Sequence, residues 1–496
     1  MSFNYLSTAR KSKRSQSALE YMMTYGWAIL IIVIVAVILY SMGIFNPSSS
    51  ITFTSSGFSP FTVSSSLCNN IGYKIAVLAG PIPNNANSIT INKVFLTSAT
   101  GANTTTASYT LTNPVTLKSG QSATILIPNV ACNSANIHYS LSAKIQYSYD
   151  VPTIGLQTVN TTGTVAGTSI TGKPSTLTSY EPITITNSQS SATPSPFQQM
   201  VNFTSSDNGW TSISTGNFGQ NVEFFYYNGT VIPSWLENYT STNAIWWLKI
   251  AAIPGGSSET VYVGFAPKAT NLFNTVNDGE APQLTCPNPS DTASCSTYAE
   301  YDDGANVFNF YDNFSGTSLN KSKFNVSSLS YSVDNGLTLD VPGSGFGFLY
   351  SIPSFSAGSV FDFYGKPTFN NGANGFDFGA GDCINCNPIG DSWMIGANEL
   401  VSGYYLYLNN TKTPTNYVQA YGVWTVGLES SGTTAFSEYN YSDEYTVTNS
   451  TFLPHPISYQ LLIHTGTSGN TFLQWFDERS APPNGVMPSV IFGGTV

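Results

Sequence analysis

Residues 27–45 form one continuous apolar run, WAILIIVIVAVILYSMGIF, in a chain of 496 residues. As a helix that rises about 1.5 Å per residue, this run covers roughly 28 Å, close to the ~30 Å hydrocarbon core of a bilayer. A single segment inside lipid can satisfy its backbone hydrogen bonds only as a helix. The sequence therefore predicts a transmembrane helix within residues 16–45, preceded by a short leader, residues 1–15.

Charges flank this run on one side only. The leader carries Arg10, Lys11, Lys13 and Arg14, and the next cation along the chain is Lys74. The positive-inside rule then predicts a single-pass cell-membrane protein with a cytoplasmic N-terminus and extracellular C-terminal domains. Glu20 is the one acid on this side of the apolar run, and it needs a separate explanation because an acid beside a membrane span is costly and often functional. The alternative is that Glu20 simply lies in the headgroup layer.

The stretch KRSQSALEY, residues 13–21, resembles the class III signal peptide of archaeal type IV pilins and pilin-like surface proteins. The resemblance implies that a prepilin peptidase cuts between Ser15 and Gln16, although Gly or Ala is usual where Ser15 stands. It also implies filament assembly through Glu20, whose charge the new amino group of Gln16 on a neighbouring subunit would neutralise. The implied partners are the membrane, the prepilin peptidase, and other copies or pilin-like subunits.

The composition after the span favours folded β structure. Charged residues make up 9% of the chain and aromatic residues 14%, with abundant turn-forming residues. After residue 45, 12 Lys and Arg residues face 26 Asp and Glu residues, a net charge of −14. An acidic exterior without a basic stripe excludes nucleic acid as a partner.

All six cysteines follow the span, as expected in an oxidising compartment. Order along the chain suggests the disulfides Cys68–Cys132, Cys286–Cys295 and Cys383–Cys386, although six cysteines allow about fifteen connectivities. The C-x-x-C spacing of the last pair also suits zinc, but only three histidines could complete such a site. We therefore predict no metal and no cofactor. Eleven N-x-S/T sequons permit N-glycosylation, at Asn103, Asn160, Asn202, Asn228, Asn238, Asn313, Asn320, Asn325, Asn409, Asn440 and Asn449.

The exterior divides into three predicted domains. Residues 46–172 alternate β-formers with turn residues and predict an Ig-like β-sandwich. Residues 173–304 contain ITNS, PFQQ, IPSWLE and WLKI, which resemble a β domain of unknown function in archaeal and bacterial surface proteins. Residues 305–496 begin with YDNF and a SVDNGLTL hairpin, which resemble the opening of concanavalin-like jelly rolls. The predicted fold class is mainly β: one N-terminal transmembrane α-helix followed by three β-sandwich domains.

Concanavalin-like folds include laminarinase-type hydrolases, which need two carboxylates across the sugar. The expected E-x-D-x-E run is absent, and Glu438, Asp443 and Glu444 have the wrong spacing. H-E-x-x-H and G-x-S-x-G are also absent, so we predict that the chain is not an enzyme. An acidic cluster at Asp302, Asp303 and Asp312 suits calcium or a solvated turn, and we do not count it as a site.

Aromatic residues near the middle of the predicted jelly roll could stack on glycans or fill its core; they are Trp393, Tyr404, Tyr405, Tyr407 and Trp424. The predicted function is that of a membrane-anchored, pilin-like archaeal cell-surface protein, an adhesin or a minor or tip filament subunit that binds glycans or surface partners. The alternatives are an extracellular glycan-processing enzyme on the concanavalin-like domain and an anchored surface protein that does not polymerise.

Overall fold

The computed structural model divides the chain into two compact units, 1–172 and 173–496. It describes residues 25–26, 29–31, 33–34, 53–104, 108–128, 130–132, 134–152, 154–286, 295, 297–340, 345–367, 376–381, 392–397, 404–417, 420–452, 457–465 and 470–494.

The described residues of the predicted span are helical, at 25–26, 29–31 and 33–34. Their large apolar side chains are exposed, as at Ile29 and Ile31. Within the described parts of the chain, no helix combines the length and hydropathy that a membrane crossing requires. Ser15, Gln16 and Glu20 lie outside the described residues.

The first unit is built of strands whose side chains alternate between core and surface. Tyr73, Ile75 and Val77, from one sheet, are buried in the same core as Leu141 and Ile145 from the other. The larger sheet has the order β1-β10-β9-β4-β6, the smaller β2-β3-β7, and β5 pairs with β8. The strands are β1 Phe53–Gly57, β2 Phe61–Cys68, β3 Tyr73–Ala79, β4 Ile89–Thr100, β5 Asn103–Thr104, β6 Ser108–Leu117, β7 Ser122–Ile127, β8 Val130–Ala131, β9 His138–Val151 and β10 Gly155–Thr168, with a 3-10 helix at Pro83–Asn85.

The second unit begins with a sandwich of two four-stranded sheets, called here the middle sandwich. Its first strands and helices are β11 Ser179–Asn187, β12 Phe197–Thr204, β13 Val222–Phe225, β14 Ser234–Tyr239, β15 Asn243–Ile250, β16 Ser257–Phe265, β17 Asp278–Glu280, α1 Pro282–Thr285, α2 Gly304–Val307 and a 3-10 helix at Asn208–Ser212. One sheet has the order β12-β15-β14-β17.

The rest of the second unit is a jelly roll of an eight-stranded and a seven-stranded sheet. Its strands are β18 Phe310–Asp312, β19 Phe324–Ser327, β20 Ser330–Val333, β21 Leu337–Asp340, β22 Gly345–Phe355, β23 Ser359–Lys366, β24 Phe376–Gly381, β25 Ser392–Ala397, β26 Tyr404–Leu408, β27 Thr411–Pro414, β28 Gly422–Leu428, β29 Thr434–Tyr439, β30 Ser442–Thr448, β31 Ile457–Thr465 and β32 Asn470–Ser480. A 3-10 helix, Pro483–Gly485, and β33 Ser489–Phe492 end the chain.

We call the eight-stranded sheet, β20-β21-β32-β23-β28-β29-β30 with β18 beside β32, the near sheet. The seven-stranded sheet, β19-β22-β31-β24-β25-β26-β27, is the far sheet. Side chains from both sheets form one core that includes Phe361, Phe378 and Phe476. Thr184 of β11 pairs with Ile491 of β33, so β33 returns to β11 rather than to the jelly roll.

This last pairing corrects the prediction that residues 305–496 form one complete sandwich. The strand that returns beside the first jelly-roll strand is β32, and β33 instead closes the middle sandwich. The physical reason is apolar burial, because Val490 and Phe492 pack against the middle-sandwich core. The ring of Phe492 stacks 4.6 Å from that of Phe203.

Candidate functional site

Three of the five predicted stacking residues lie in the jelly-roll core. Trp393, Tyr404 and Trp424 are at most 1% exposed, and the rings of Tyr404 and Trp424 lie 5.2 Å apart. They occupy the inward positions of their strands, between the two sheets. A ring enclosed in this way cannot offer a face to a glycan, so these three residues fill the core, which is the second of the two interpretations that the sequence left open.

The other two predicted residues lie on the opposite face of the far sheet. Side chains alternate along a strand, and in β26 buried Tyr404, Leu406 and Leu408 alternate with half-buried Tyr405 and Tyr407. The rings of Tyr405 and Tyr407 lie 6.2 Å apart and are tilted by 47°. They present two adjacent aromatic surfaces on one strand.

The register of the far sheet places other side chains around these rings. One row across the strands runs Asp377, Gly396, Tyr405. Because adjacent strands are about 4.8 Å apart, Asp377 and Tyr405 are separated by roughly 10 Å across a residue without a side chain. This row therefore places an acid and an aromatic ring on either side of a residue without a side chain.

The neighbouring row of the far sheet also contains a glycine and a tyrosine. It runs Gly379, Met394, Tyr407, with Lys412 beyond on β27. Gly379 has φ of +150°, and a Cβ there would lie 2.3 Å from the Trp393 carbonyl oxygen, so only glycine fits. Met394, between Gly379 and Tyr407, is 4% exposed, whereas Asp377, Tyr405 and Tyr407 are half-buried.

Charges at the rim act directly on the rings. The Lys412 ammonium lies 4.7 Å from the centroid of Tyr405, within the range of a cation–π contact. Burial raises the pKa of Asp377 to about 7. Burial also raises the pKa of Tyr407 to about 12, and nearby Asp377 and Tyr405 add to that shift. With this raised pKa, Asp377 keeps its proton to a higher pH than an exposed aspartate, and in that form it can both donate and accept hydrogen bonds.

We call Asp377, Met394, Tyr405, Tyr407 and Lys412 the far-sheet face. Asp377, Met394 and Lys412 were missed by sequence reasoning. The available signal was Asp377 itself, an acid at an outward position of the otherwise uncharged strand FDFGAG. Across the seven strands of the far sheet, Asp377 is the single carboxylate-bearing residue.

The remaining predicted residues have varied outcomes. The disulfides Cys68–Cys132 and Cys286–Cys295 are confirmed, while Cys383 and Cys386 lie outside the described residues.

Within the described ranges, no three His, Cys, Asp or Glu side chains are placed to hold a metal ion. The sequon asparagines with exposed side chains are Asn160, Asn202, Asn228, Asn238, Asn320, Asn325 and Asn440, and their modification stays a prediction.

The acidic cluster that suggested calcium or a solvated turn has other partners. Asp302 accepts hydrogen bonds from Trp235, Tyr311 and Asn313. Asp312 forms an ion pair with Lys323 at 3.2 Å. Asp302 thus serves the packing between the middle sandwich and the first jelly-roll strand, Asp312 is paired within the jelly roll, and Asp303 is buried with both carboxylate oxygens unpartnered.

No family model matches the chain. A sequence relative is the uncharacterized protein 562 of Sulfolobus islandicus rod-shaped virus 1, 28% identical over 354 residues. The match covers 63% of this chain and 58% of that protein, so the chain spans less than two thirds of its relative. The pilin resemblance gains no support from this match and stays a prediction.

Solved structures similar to this chain are β-sandwich proteins of the glycoside hydrolase type. A β-1,3-glucanase from Mycobacterium marinum is 11% identical with a TM-score of 0.28, over 34% of this chain and 98% of that one. The Bacillus licheniformis β-glucanase is 12% identical with a TM-score of 0.27, over 34% and 97%. A pseudo β-1,3-glucanase and immunostimulatory antigen of Mycobacterium tuberculosis is 15% identical with a TM-score of 0.28, over 35% and 98%.

The jelly roll itself, two large sheets around one shared core, agrees with the predicted concanavalin-like β fold. The names of these neighbours include β-glucanases, so the prediction that the chain is not an enzyme is withdrawn. At 10–15% identity the likeness assigns no reaction to this chain.

Proposed function

We propose that the jelly roll binds carbohydrate on the far-sheet face. The observation that carries the proposal is the pair of half-buried rings, Tyr405 and Tyr407, 6.2 Å apart on the outward side of β26. Aromatic rings combine a large apolar surface with a polar tip at low entropic cost. A sugar ring has the complementary build, with an apolar C–H face and hydroxyl groups around its edge.

The groups around the rings supply the hydrogen bonds that such a ligand needs. Asp377 lies on one side of the face and Lys412 on the other, with Gly396 between Asp377 and Tyr405 and with Gly379 two residues beyond Asp377 on β24. A pyranose lying over the glycines would contact a tyrosine with its C–H face and reach Asp377 with its hydroxyls. Binding sites of this kind combine apolar surface with a few placed polar groups.

Glycan cleavage on the same face is the second candidate function. Asp377, with its pKa raised to about 7 by burial, has the property of a general acid at neutral pH. Hydrolysis with two carboxylates requires the second carboxylate to lie roughly 5–10 Å from the first. The far-sheet strands contribute Asp377 alone, so the second acid would come from outside them.

In the cell, we propose that this face serves a surface protein held by the apolar run at residues 27–45. The run and its basic flank support membrane attachment, and KRSQSALEY supports pilin-like processing. Glycan binding would then act in adhesion.

The test measures binding of the full chain to a panel of soluble polysaccharides by affinity electrophoresis. Tyr407→Ala and Tyr405→Ala should each weaken binding about tenfold, equivalent to about 1.4 kcal/mol. Tyr421→Ala is the matched control, since Tyr421 is 51% exposed and lies in the chain just before β28 of the near sheet. Equal binding by all three variants would overturn the proposal. If the chain releases shorter sugars from a polysaccharide and Asp377→Asn abolishes this release, the result favours glycan cleavage on this face.

A further inference from the structure

The near sheet of the jelly roll packs its outer face against the middle sandwich. Trp235 of β14 and Trp475 of β32 meet edge to face at 5.1 Å, and neither is exposed. Trp247 and Phe308 belong to the same buried cluster. We call this contact between the two sandwiches the joint.

Charged side chains are buried inside the joint beside these rings. Asp362 and Asp477 are cross-strand neighbours on β23 and β32, each 1% exposed. The Arg479 guanidinium donates from Nε to Asp362 Oδ2 at 2.7 Å. It also lies 4.6 Å from the ring centroid of Trp247, across the joint. One acid of the jelly roll is thus neutralised by one arginine.

The middle sandwich contributes an acid of its own. Glu237 of β14 is 1% exposed, and its Oε2 accepts a hydrogen bond from Trp247 Nε1 at 2.7 Å. The same oxygen accepts a hydrogen bond from the Tyr441 hydroxyl of the jelly roll. Glu237 therefore connects the two sandwiches directly.

The acids in the joint outnumber its arginine. Asp362 has Arg479, but Asp477 Oδ1 is buried without a hydrogen-bond partner. An unpaired buried carboxylate is strongly unfavourable, and such a group takes up a proton instead. The other titratable groups that act on these acids are Glu438 of β29, Glu478 of β32, Tyr441, Tyr364 of β23 and Tyr311 of β18.

The pKa values follow this arrangement. Burial raises the pKa of Glu237 to about 7, against the pull of its hydrogen bonds from Tyr441 and Trp247. Burial, reinforced by Asp362, raises the pKa of Asp477 well above its usual range. Burial also raises the pKa of Glu438 to about 7, and Arg479 opposes that shift.

We propose that protons held by Glu237 and Asp477 keep the two sandwiches docked, so that the joint is tightest in acid and loosens as the pH rises to neutrality. The docked state binds more protons than the separated state, so docking strength falls with rising pH. For Glu237 the fall begins near its unshifted pKa of 4.5 and ends near 7. The joint is thus a pH-sensitive element of the fold, separate from the far-sheet face.

Hydrogen exchange of the full chain, followed by mass spectrometry between pH 5 and 8, tests this proposal. After correction for the intrinsic exchange rate, protection of β14 and β32 should fall at least about 100-fold, because the proton of Glu237 alone contributes a factor of about ten per pH unit over about two units. Protection of β3 and β9, in the first unit, should not change with pH. Fluorescence of the joint tryptophans should follow the same curve.

Two substitutions remove the charge and keep the shape. Glu237→Gln and Asp477→Asn should each flatten the pH dependence and leave the joint protected at pH 8. Glu444→Gln, at an exposed position of β30, is the matched control and should behave like the unaltered chain. A flat wild-type profile, or variants as pH-dependent as the control, would overturn the proposal. If either variant fails to fold, the wild-type profile alone decides.

Discussion

The two disulfides allow a quantitative test of how stability is distributed between the units. Cys68–Cys132 spans 64 residues of the first unit, and Cys286–Cys295 spans 9 residues of the second. A crosslink mainly restricts the unfolded chain, and longer loops restrict it more. Loop entropy gives about 4 kcal/mol for the long bridge and about 2.6 kcal/mol for the short one.

The perturbation is the paired replacement Cys68→Ala with Cys132→Ala, compared with Cys286→Ala with Cys295→Ala. In a domain of roughly 120 residues, a loss of about 4 kcal/mol lowers the midpoint of unfolding by about 15 °C. The short bridge belongs to the larger unit, where about 2.6 kcal/mol corresponds to about 5 °C.

Differential scanning calorimetry measures both transitions in one experiment. Each pair of substitutions should move the transition of its own unit and leave the other in place. Loss of Cys68–Cys132 that shifted both transitions equally would contradict this prediction, as would a shift of the first unit smaller than the shift that loss of Cys286–Cys295 causes in the second.

Two further predictions concern buried groups of the second unit. Asp303 is 1% exposed with both carboxylate oxygens unpartnered, and burial, with Asp302 and Asp278, raises its pKa to about 9. The native state therefore holds one proton more than the unfolded state, so the free energy of unfolding should fall between about pH 4 and 9. Urea denaturation at pH 5 and pH 8 measures this fall, and Asp303→Asn should flatten it. Trp424→Ala should lower the free energy of unfolding by about 3–5 kcal/mol, because Trp424 fills the core; unchanged stability in urea would contradict its placement there.

Local sequence patterns were sufficient to predict the β architecture. In β9 the apolar residues alternate strictly, and the structure buries those positions. Alternation also implies that Tyr404 and Tyr405 face opposite sides of a strand. It cannot say which side is the core, because Y-Y-L-Y-L contains large rings on both. The opposite sheet decides that, through contacts such as that of Trp424 with Tyr404.

Long-range pairings were beyond local reasoning. Glu237 and Tyr441 are 204 residues apart, and their hydrogen bond depends on how two sandwiches pack. The short β33 has apolar residues that suit any half-buried edge, so the sequence alone did not assign it to the middle sandwich. Asp377 was missed for the same reason, since its rows with the tyrosines arise from the order of β24, β25 and β26.

The most direct measurement of the central claim is an NMR titration of the full chain, labelled at its methionine methyl groups, with a polysaccharide that it retains. Met394 is the cross-strand neighbour of Tyr407 in the far-sheet face, whereas Met200 and Met487 pack against the joint. If the far-sheet face binds carbohydrate, the Met394 signal shifts with ligand concentration and those of Met200 and Met487 do not. A titration that moves Met200 or Met487 and leaves Met394 unchanged would place binding away from the far-sheet face.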